Sequence, residues 1–519
     1  INHSCFLQDN ERVIGSGLFV KCTKTQNREL LFIADSQFEN IQHIADIEYN
    51  SLNKYRGGAL LVKYCDNIVI TGTQIKGKKN TFHSKGLEGK KRKLEFLHTS
   101  GLYVMCKKAT SSVKLKNTSI IETSEMGGVI IKDCLTVSLE NVDVWNNSGH
   151  LAGGVCVICG CIESYRYKLR HEYGRIDVES CNFHHNEGKY GNEAKESGGS
   201  FIVLCKNVKI NKTNFLYNKG HIGGGLQYVI LPDRIQRSGH LSISNSLFLS
   251  NSVSQGGAGM ALYNVAHVSM INCIFSENIA EPMPSFLEGS GGGGIYMMSS
   301  KQVSVVSSYF LGNHAYHKKG GAISVVSTSV YKLKFMKCGF SRNSAKCHGT
   351  AVYVTEGRHA SGNISVSKSL FENNTKSEYC SNNFCFLLEF DPSSDKNVNF
   401  MLLQRVIIKN NSITFKPNQL KKLTHFRSIQ FYRCQFMWNF RNGEKGTVYL
   451  EQISDSVLTQ CKFLLNLLKQ GSGGIYFTNC PAKKCRVVIY QSKFEGNQVL
   501  GVENADALGF WHGGAVHIS

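Results

Sequence analysis

Apolar and polar positions along this chain follow one pattern that returns roughly every thirty residues. A unit opens with glycines and a short apolar run, as in Ile295-Tyr-Met, Ala322-Ile-Ser-Val, Ile475-Tyr-Phe and Ala515-Val-His-Ile. A second segment alternates, for example Val303/Val305, Leu333/Phe335, Ile364/Val366 and Val487/Ile489. A third places Cys or Ser two residues before Phe, as in Cys273/Phe275, Cys338/Phe340, Cys461/Phe463 and Ser492/Phe494. Two-residue alternation marks strands with one buried face. Between the second and third segments the apolar phase slips by one, an odd step from Ile489 to Ser492. A slip turns every later side chain outward unless the chain bends at that point. Each unit therefore reads as three short strands separated by two bends and a loop.

The third segment ends in Phe-x-x-Asn, which occurs at Phe183, Phe215, Phe248, Phe275, Phe310, Phe340, Phe371, Phe436, Phe463 and Phe494. Steps between these rings are mostly 27 to 35 residues, and the long step after Phe371 is split by a degenerate copy, Ile407 to Asn410. One such coil cannot bury its own apolar face, but stacked coils can. The expected fold is an all-β, right-handed parallel β-helix of roughly fifteen coils with three strands per coil, forming a rod about 70 Å long at an inter-strand spacing of about 4.8 Å. Phe275, Phe310 and Phe340 are expected to stack in a column. Asn278, Asn313 and Asn343 are expected to form an amide ladder beside it, with the Gly pair supplying positive φ at a corner. A propeller needs longer, four-stranded units, and the Leu/Asn spacing of a leucine-rich horseshoe is absent.

On this pattern residues 1–519 form a single domain. Residues 1–100 are irregular N-terminal coils, 101–375 regular coils, 376–435 irregular coils, and 436–519 regular coils that end inside a Gly-Gly strand. The absence of an initiator Met, and the stop within a coil, make a piece of a larger protein the expectation. No run of eighteen or more apolar residues is present, so no helical membrane span is expected within the fragment.

Cysteine changes the picture more than overall composition does. There are 19, an odd number, so at least one thiol is free or paired outside this sequence. Cys22, Cys65, Cys106, Cys134, Cys159 and Cys205 each follow a glycine-start strand. Cys156, Cys159 and Cys161 have a metal-like spacing but no second cluster, so disulfides or buried thiols are the better reading and no metal is assigned. Cys380/Cys385 and Cys480/Cys485 are candidate loop disulfides. Together with seven Asn-x-Ser/Thr sequons, the cysteines point to a secreted, oxidising setting. Asn117, Asn146, Asn211, Asn363 and Asn373 are the candidate glycan acceptors. Asn410, on the ladder by the degenerate repeat, is expected to stay bare, whereas Asn146 and Asn373 fall one residue before ladder positions.

The formal net charge is +21, with the densest basic stretch at residues 76–93. Lys76, Lys78, Lys79, Lys90, Lys91, Arg92 and Lys93 interrupt the coil pattern and read as an exposed loop, either a polyanion contact, a dibasic processing site at Lys90-Lys-Arg-Lys, or simply solvated. An enzyme is weighed because parallel β-helices also host pectate lyases and polygalacturonases. Inverting hydrolysis needs paired carboxylates, yet there is no Asp-Asp and no Asp-x-Asp. No acids cluster in sequence for a calcium site. Polygalacturonase-like Arg175-Ile-Asp and Gly149-His lack their partners, and His184-His185 read as flanking a coil corner. No catalytic residue and no cofactor are assigned.

Phe310-Leu-Gly-Asn with Gly320-Gly-Ala-Ile, and Phe494-Glu-Gly-Asn with Gly513-Gly-Ala-Val, resemble the repeats of the polymorphic outer-membrane proteins, chlamydial surface adhesins of the autotransporter type. The resemblance covers most of the chain from about Gly101 onward, and the sequons and cysteines lean toward a eukaryotic secreted relative. It implies a β-helical adhesion scaffold. The resulting expectation is a non-enzymatic extracellular or cell-surface recognition protein whose basic surface binds acidic glycans or other cell-surface molecules. The alternative is a lyase or hydrolase of acidic polysaccharides. No nucleic-acid module is recognisable, so no specific nucleic-acid partner is expected.

Overall fold

A computed structural model describes residues 18–22, 30–41, 59–77, 101–106, 111–123, 127–149, 152–159, 174–188, 198–203, 205–230, 239–281, 291–316, 319–327, 331–345, 349–356, 362–376, 388–391, 399–409, 411, 426–441, 448–451, 455–468, 474–478, 486–499 and 516–518. The described residues hold no helix, and the chain divides into two compact units, 1–234 and 235–519. Both are built from coils of a right-handed parallel β-helix, the hand favoured for parallel crossovers.

One coil of the second unit shows how the sequence makes the fold. Ile295–Met298 is the glycine-start strand, followed by Gln302–Val306 and Tyr309–Leu311. Val303, Val305, Ser308 and Phe310 are buried, while Ser304 and Tyr309 face outward. The phase slip is taken up by one left-handed residue, Ser307, at φ 49°. Its equivalents recur in every coil, for instance Asn272, Lys337 and Gln491. A two-residue strand, His314–Ala315, follows the ladder asparagine, and it pairs with Ser344–Ala345 of the next coil. Two residues are too few to show alternation, so the sequence pattern did not reveal this strand.

Equivalent strands pair in parallel from coil to coil: Ile295 with Ile323, Gln302 with Lys332, and Tyr309 with Gly339. Register places like residues on like. In the second unit Phe248, Phe275, Phe310, Phe340 and Phe371 stack with successive centroids 4.5, 5.1, 4.9 and 4.6 Å apart. Beside them each Asn donates Nδ2 to the Oδ1 of the next: Asn278 to Asn313, Asn313 to Asn343 and Asn343 to Asn374, each at 2.9 Å. The same Nδ2 groups bond the carbonyl of the phenylalanine one coil back, as Asn313 does to Phe275 at 2.9 Å. In the first unit, Phe183 stacks on Phe215 at 5.0 Å and the ladder runs Asn147, Asn186, Asn218. Asn313 and Asn343 each donate Nδ2 twice and accept twice at Oδ1, which offsets the desolvation of the buried amide.

The register corrects the degenerate copy by one residue. Ile408, not Ile407, pairs with Phe371 and Phe436, and Asn411 takes the ladder position between Asn374 and Asn439. Val406 occupies the Cys/Ser site two residues earlier, and Ile407 faces outward, half-buried. Two adjacent isoleucines fit the motif equally well, and only backbone pairing decides between them. Asn410 lies outside the described residues.

The glycine pairs need a second correction. In Gly320-Gly321 only Gly320 has positive φ, at 75°. Gly321 is required by proximity, because a Cβ there would collide with the Thr350 carbonyl oxygen of the adjoining coil. Most left-handed bends are made by residues other than glycine.

Candidate ligand-binding face

The left-handed bend before each Cys/Ser site forms an exposed edge. In the second unit it is occupied in order by Asn245, Asn272, Ser307, Lys337, Lys368, Arg405 and Arg433. Backbone bonds hold the last four in consecutive coils: Lys337 N–H to Ser367 O at 3.0 Å, Lys368 to Gln404 at 2.8 Å, Arg405 to Tyr432 at 2.8 Å and Arg433 to Thr459 at 2.9 Å. All four side chains are exposed. At about 4.8 Å per coil the four cations run along roughly 14 Å.

The fold does not demand cations there. A left-handed position favours Asn or Gly and costs other residues about 1–2 kcal/mol, and earlier coils of the same column use Asn245 and Asn272. Neighbouring like charges at this spacing repel by about 1 kcal/mol per pair even in water. Among the described residues no carboxylate pairs with Lys337, Lys368 or Arg405. Arg433 donates Nε–H to Gln460 Oε1 at 2.7 Å and lies 5.0 Å from the Tyr432 ring centroid. Glu372, on the adjoining strand, is already bound to Lys409 at 2.7 Å. Exposed Lys332 and Lys334, on the strand Tyr331–Met336, add to the same side.

The first unit carries a different face. Stacking brings together acids that are scattered in sequence: Glu140 lies beside Glu179, and Asp177 beside Ser138, in paired strands. Each is matched by a polar or cationic neighbour. Lys114 and Lys116 reach Glu140 at 3.0 and 2.7 Å and, Lys116 first, hold its carboxyl below the usual range. Arg175 meets Asp177 at 2.7 Å, and Asn211 Nδ2 bonds both oxygens of Glu179 at 2.9 Å. On the next strand His184 Nε2 lies 3.2 Å from Asp143 Oδ1, with the Trp145 ring stacked on His184 at 5.8 Å. His185 forms the corner at φ 55°. The described residues contain no group of three or more His, Cys, Asp or Glu side chains able to hold a metal ion.

The described cysteines other than Cys156, which lies within the strand Val155–Ile158, fall into two columns. Those after the glycine-start strands are joined between coils of the first unit as Cys22–Cys65, Cys106–Cys134 and Cys159–Cys205. Those before the phenylalanines are buried free thiols whose Sγ–H groups donate to carbonyls, as Cys273 does to Ile271 at 3.4 Å. Burial pushes Cys181 and Cys273 up to about 11, and Cys156 up to about 12, which removes them as nucleophiles.

Of the basic residues in segment 76–93, Lys76 is among the described residues. It lies half-buried in the strand Gln74–Gly77, not on a loop, because Ile75 continues the inward alternation and pairs with Ile120. Lys78, Lys79, Lys90, Lys91, Arg92 and Lys93 lie outside the described residues, as do Cys380, Cys385, Cys480 and Cys485. Asn117, Asn363 and Asn373 are exposed, whereas Asn146 and Asn211 are half-buried. The cationic column was missed in the sequence although a signal exists. Lys or Arg immediately precedes the Cys/Ser site in Lys337-Cys338, Lys368-Ser369, Arg405-Val406 and Arg433-Cys434.

A family model described as the right handed beta helix region matches residues 234–389. No curated protein and no solved structure matches the chain. Among the described residues no helix is long and apolar enough to cross a membrane.

Proposed function

We propose that this chain is a non-enzymatic extracellular recognition scaffold that binds acidic glycans or anionic cell surfaces, in keeping with its resemblance to the outer-membrane adhesins and with a secreted eukaryotic origin. The observation that carries the reading is the exposed column Lys337, Lys368, Arg405 and Arg433, which has no carboxylate partner among the described residues. The net charge of +21 adds long-range attraction for polyanions. Three inter-coil disulfides are compatible with an oxidising compartment.

Retention on heparin at ~0.15 M salt, where the Debye length is about 8 Å, tests the reading. The triple variant Lys337→Ser, Lys368→Ser, Arg405→Ser should elute at lower salt. Serine at Lys90, Lys91, Arg92 and Lys93 separates any contribution of the 76–93 segment. Absence of retention by the unaltered chain would sink the proposal.

A lyase or hydrolase of acidic polysaccharides is the second reading, favoured by the carboxylate and cation mesh around Glu140, Asp177 and Glu179. Release of new reducing or unsaturated ends from polygalacturonate, abolished by Glu179→Gln, would select it.

A further inference from the structure

The cationic column has a direction. Its members stand on successive coils, so charge is repeated along the stack and not gathered around a point. A compact anion would meet one or two of the four cations and leave the rest repelling one another. An extended glycan with one anionic group per ring presents acids repeatedly along its length, as the column presents cations about 4.8 Å apart.

We infer that the ligand is an extended anionic glycan lying across the coils, parallel to the stacking direction, with successive acidic groups on Lys337, Lys368, Arg405 and Arg433. This rests on the recognition reading above and specifies its geometry. Each added ring then gains a contact without paying again for association. Affinity climbs with length until the column is covered and then levels.

Titration calorimetry with two-, four- and six-ring oligogalacturonates reads this directly, with heparin oligosaccharides of matched length separating carboxylate from sulfate preference. The four-ring ligand should bind more than about tenfold tighter than the two-ring one, with little further gain at six rings. Arg405→Ser should erase most of that gain and Arg405→Lys should restore it. Lys301→Ser, at an exposed lysine off the column, should change nothing. Equal affinity at all lengths, or indifference to Arg405→Ser, overturns the lengthwise site while heparin retention still supports the broader reading. Loss of heparin retention as well overturns both.

An independent observation concerns Cys434 and Cys461. Among the described free cysteines they are the pair in register on adjacent coils, since Gln435 pairs with Lys462 and Lys462 N–H bonds Cys434 O at 2.9 Å. Cys273, by contrast, adjoins Ser308. The formed disulfides also join register partners, with Cα–Cα distances of 4.9 to 5.1 Å. The local backbone matches at one end: Cys65 and Cys134 each follow a left-handed residue, Tyr64 and Asp133, as Cys461 follows Gln460, whereas Cys22 and Cys106 do not and Cys434 does.

We infer that Cys434 and Cys461 form a further inter-coil disulfide when the chain folds in an oxidising compartment. By exchange with a disulfide oxidant such as glutathione disulfide, the S–S bond forms between the two cysteines. The oxidant's S–S bond breaks, two electrons reduce it to two thiols, and both cysteine protons pass to those thiols. Chain secreted from eukaryotic cells is denatured in alkylating agent and mapped without reduction. A linked Cys434–Cys461 peptide as the major species is expected, and full alkylation of both cysteines overturns the inference.

Discussion

Asn343→Ala tests whether the amide ladder holds the second unit together. The Asn343 side chain is fully buried. Its Nδ2 donates to Phe310 O and to Asn374 Oδ1, both at 2.9 Å, and its Oδ1 accepts from Asn313 N at 3.1 Å and Asn313 Nδ2 at 2.9 Å. Truncation leaves the Asn313 N–H and one Asn313 Nδ2 hydrogen without the partner they have in the ladder. Each buried unsatisfied group costs about 1–3 kcal/mol, so for the two donors a local loss of about 2–6 kcal/mol is expected. Global melting is a poor readout, because long coil arrays lose two-state cooperativity. Hydrogen exchange at the Asn313 amide is the local one. About 3 kcal/mol corresponds to protection lower by more than about a hundredfold. The control Asn373→Gly alters the exposed left-handed residue beside the ladder, at φ 53°, and should leave protection nearly unchanged. Equal protection in Asn343→Ala and the unaltered chain would refute the claim that ladder amides carry this stability.

Three further outcomes are expected. Phe310→Ala, which removes a fully buried ring stacked between Phe275 and Phe340, should destabilise its coils by about 3–5 kcal/mol, seen as lost exchange protection across the strand Tyr309–Leu311. Burial lowers the pKa of His314, whose Nδ1 lies 2.6 Å from Ser344 Oγ, so the folded state binds fewer protons than the unfolded. Stability from this group is then complete above about pH 6.5 and is lost as pH falls below it. Thermal unfolding of His314→Asn between pH 5 and 7.5 should show a flatter profile than the unaltered chain. In chain secreted from eukaryotic cells, glycopeptide mass spectrometry should find glycan on exposed Asn373. It should find little on Asn211, whose amide is engaged by the Glu179 carboxylate.

Much of the fold was legible because a solenoid repeats its own evidence. Alternation at Val303/Val305 and the recurrent Phe-x-x-Asn depend on neighbours close in sequence, and ten copies leave little freedom in the strands they specify. The odd step before Ser492 announced a bend, which is the left-handed Gln491. What tertiary structure alone decided lies between coils. Whether Ile407 or Ile408 faces inward is settled by pairing with Phe371 and Phe436, a contact that no single repeat contains. Gly321 answers to the Thr350 carbonyl of another coil, and local sequence is silent about that approach. Glu140 and Glu179 become neighbours, and four bend residues from 337 to 433 become one charged column, because stacking converts a separation of about thirty residues into one inter-strand spacing. Local alternation determines which side chains point out of the coil; the register between coils determines which of them stand together.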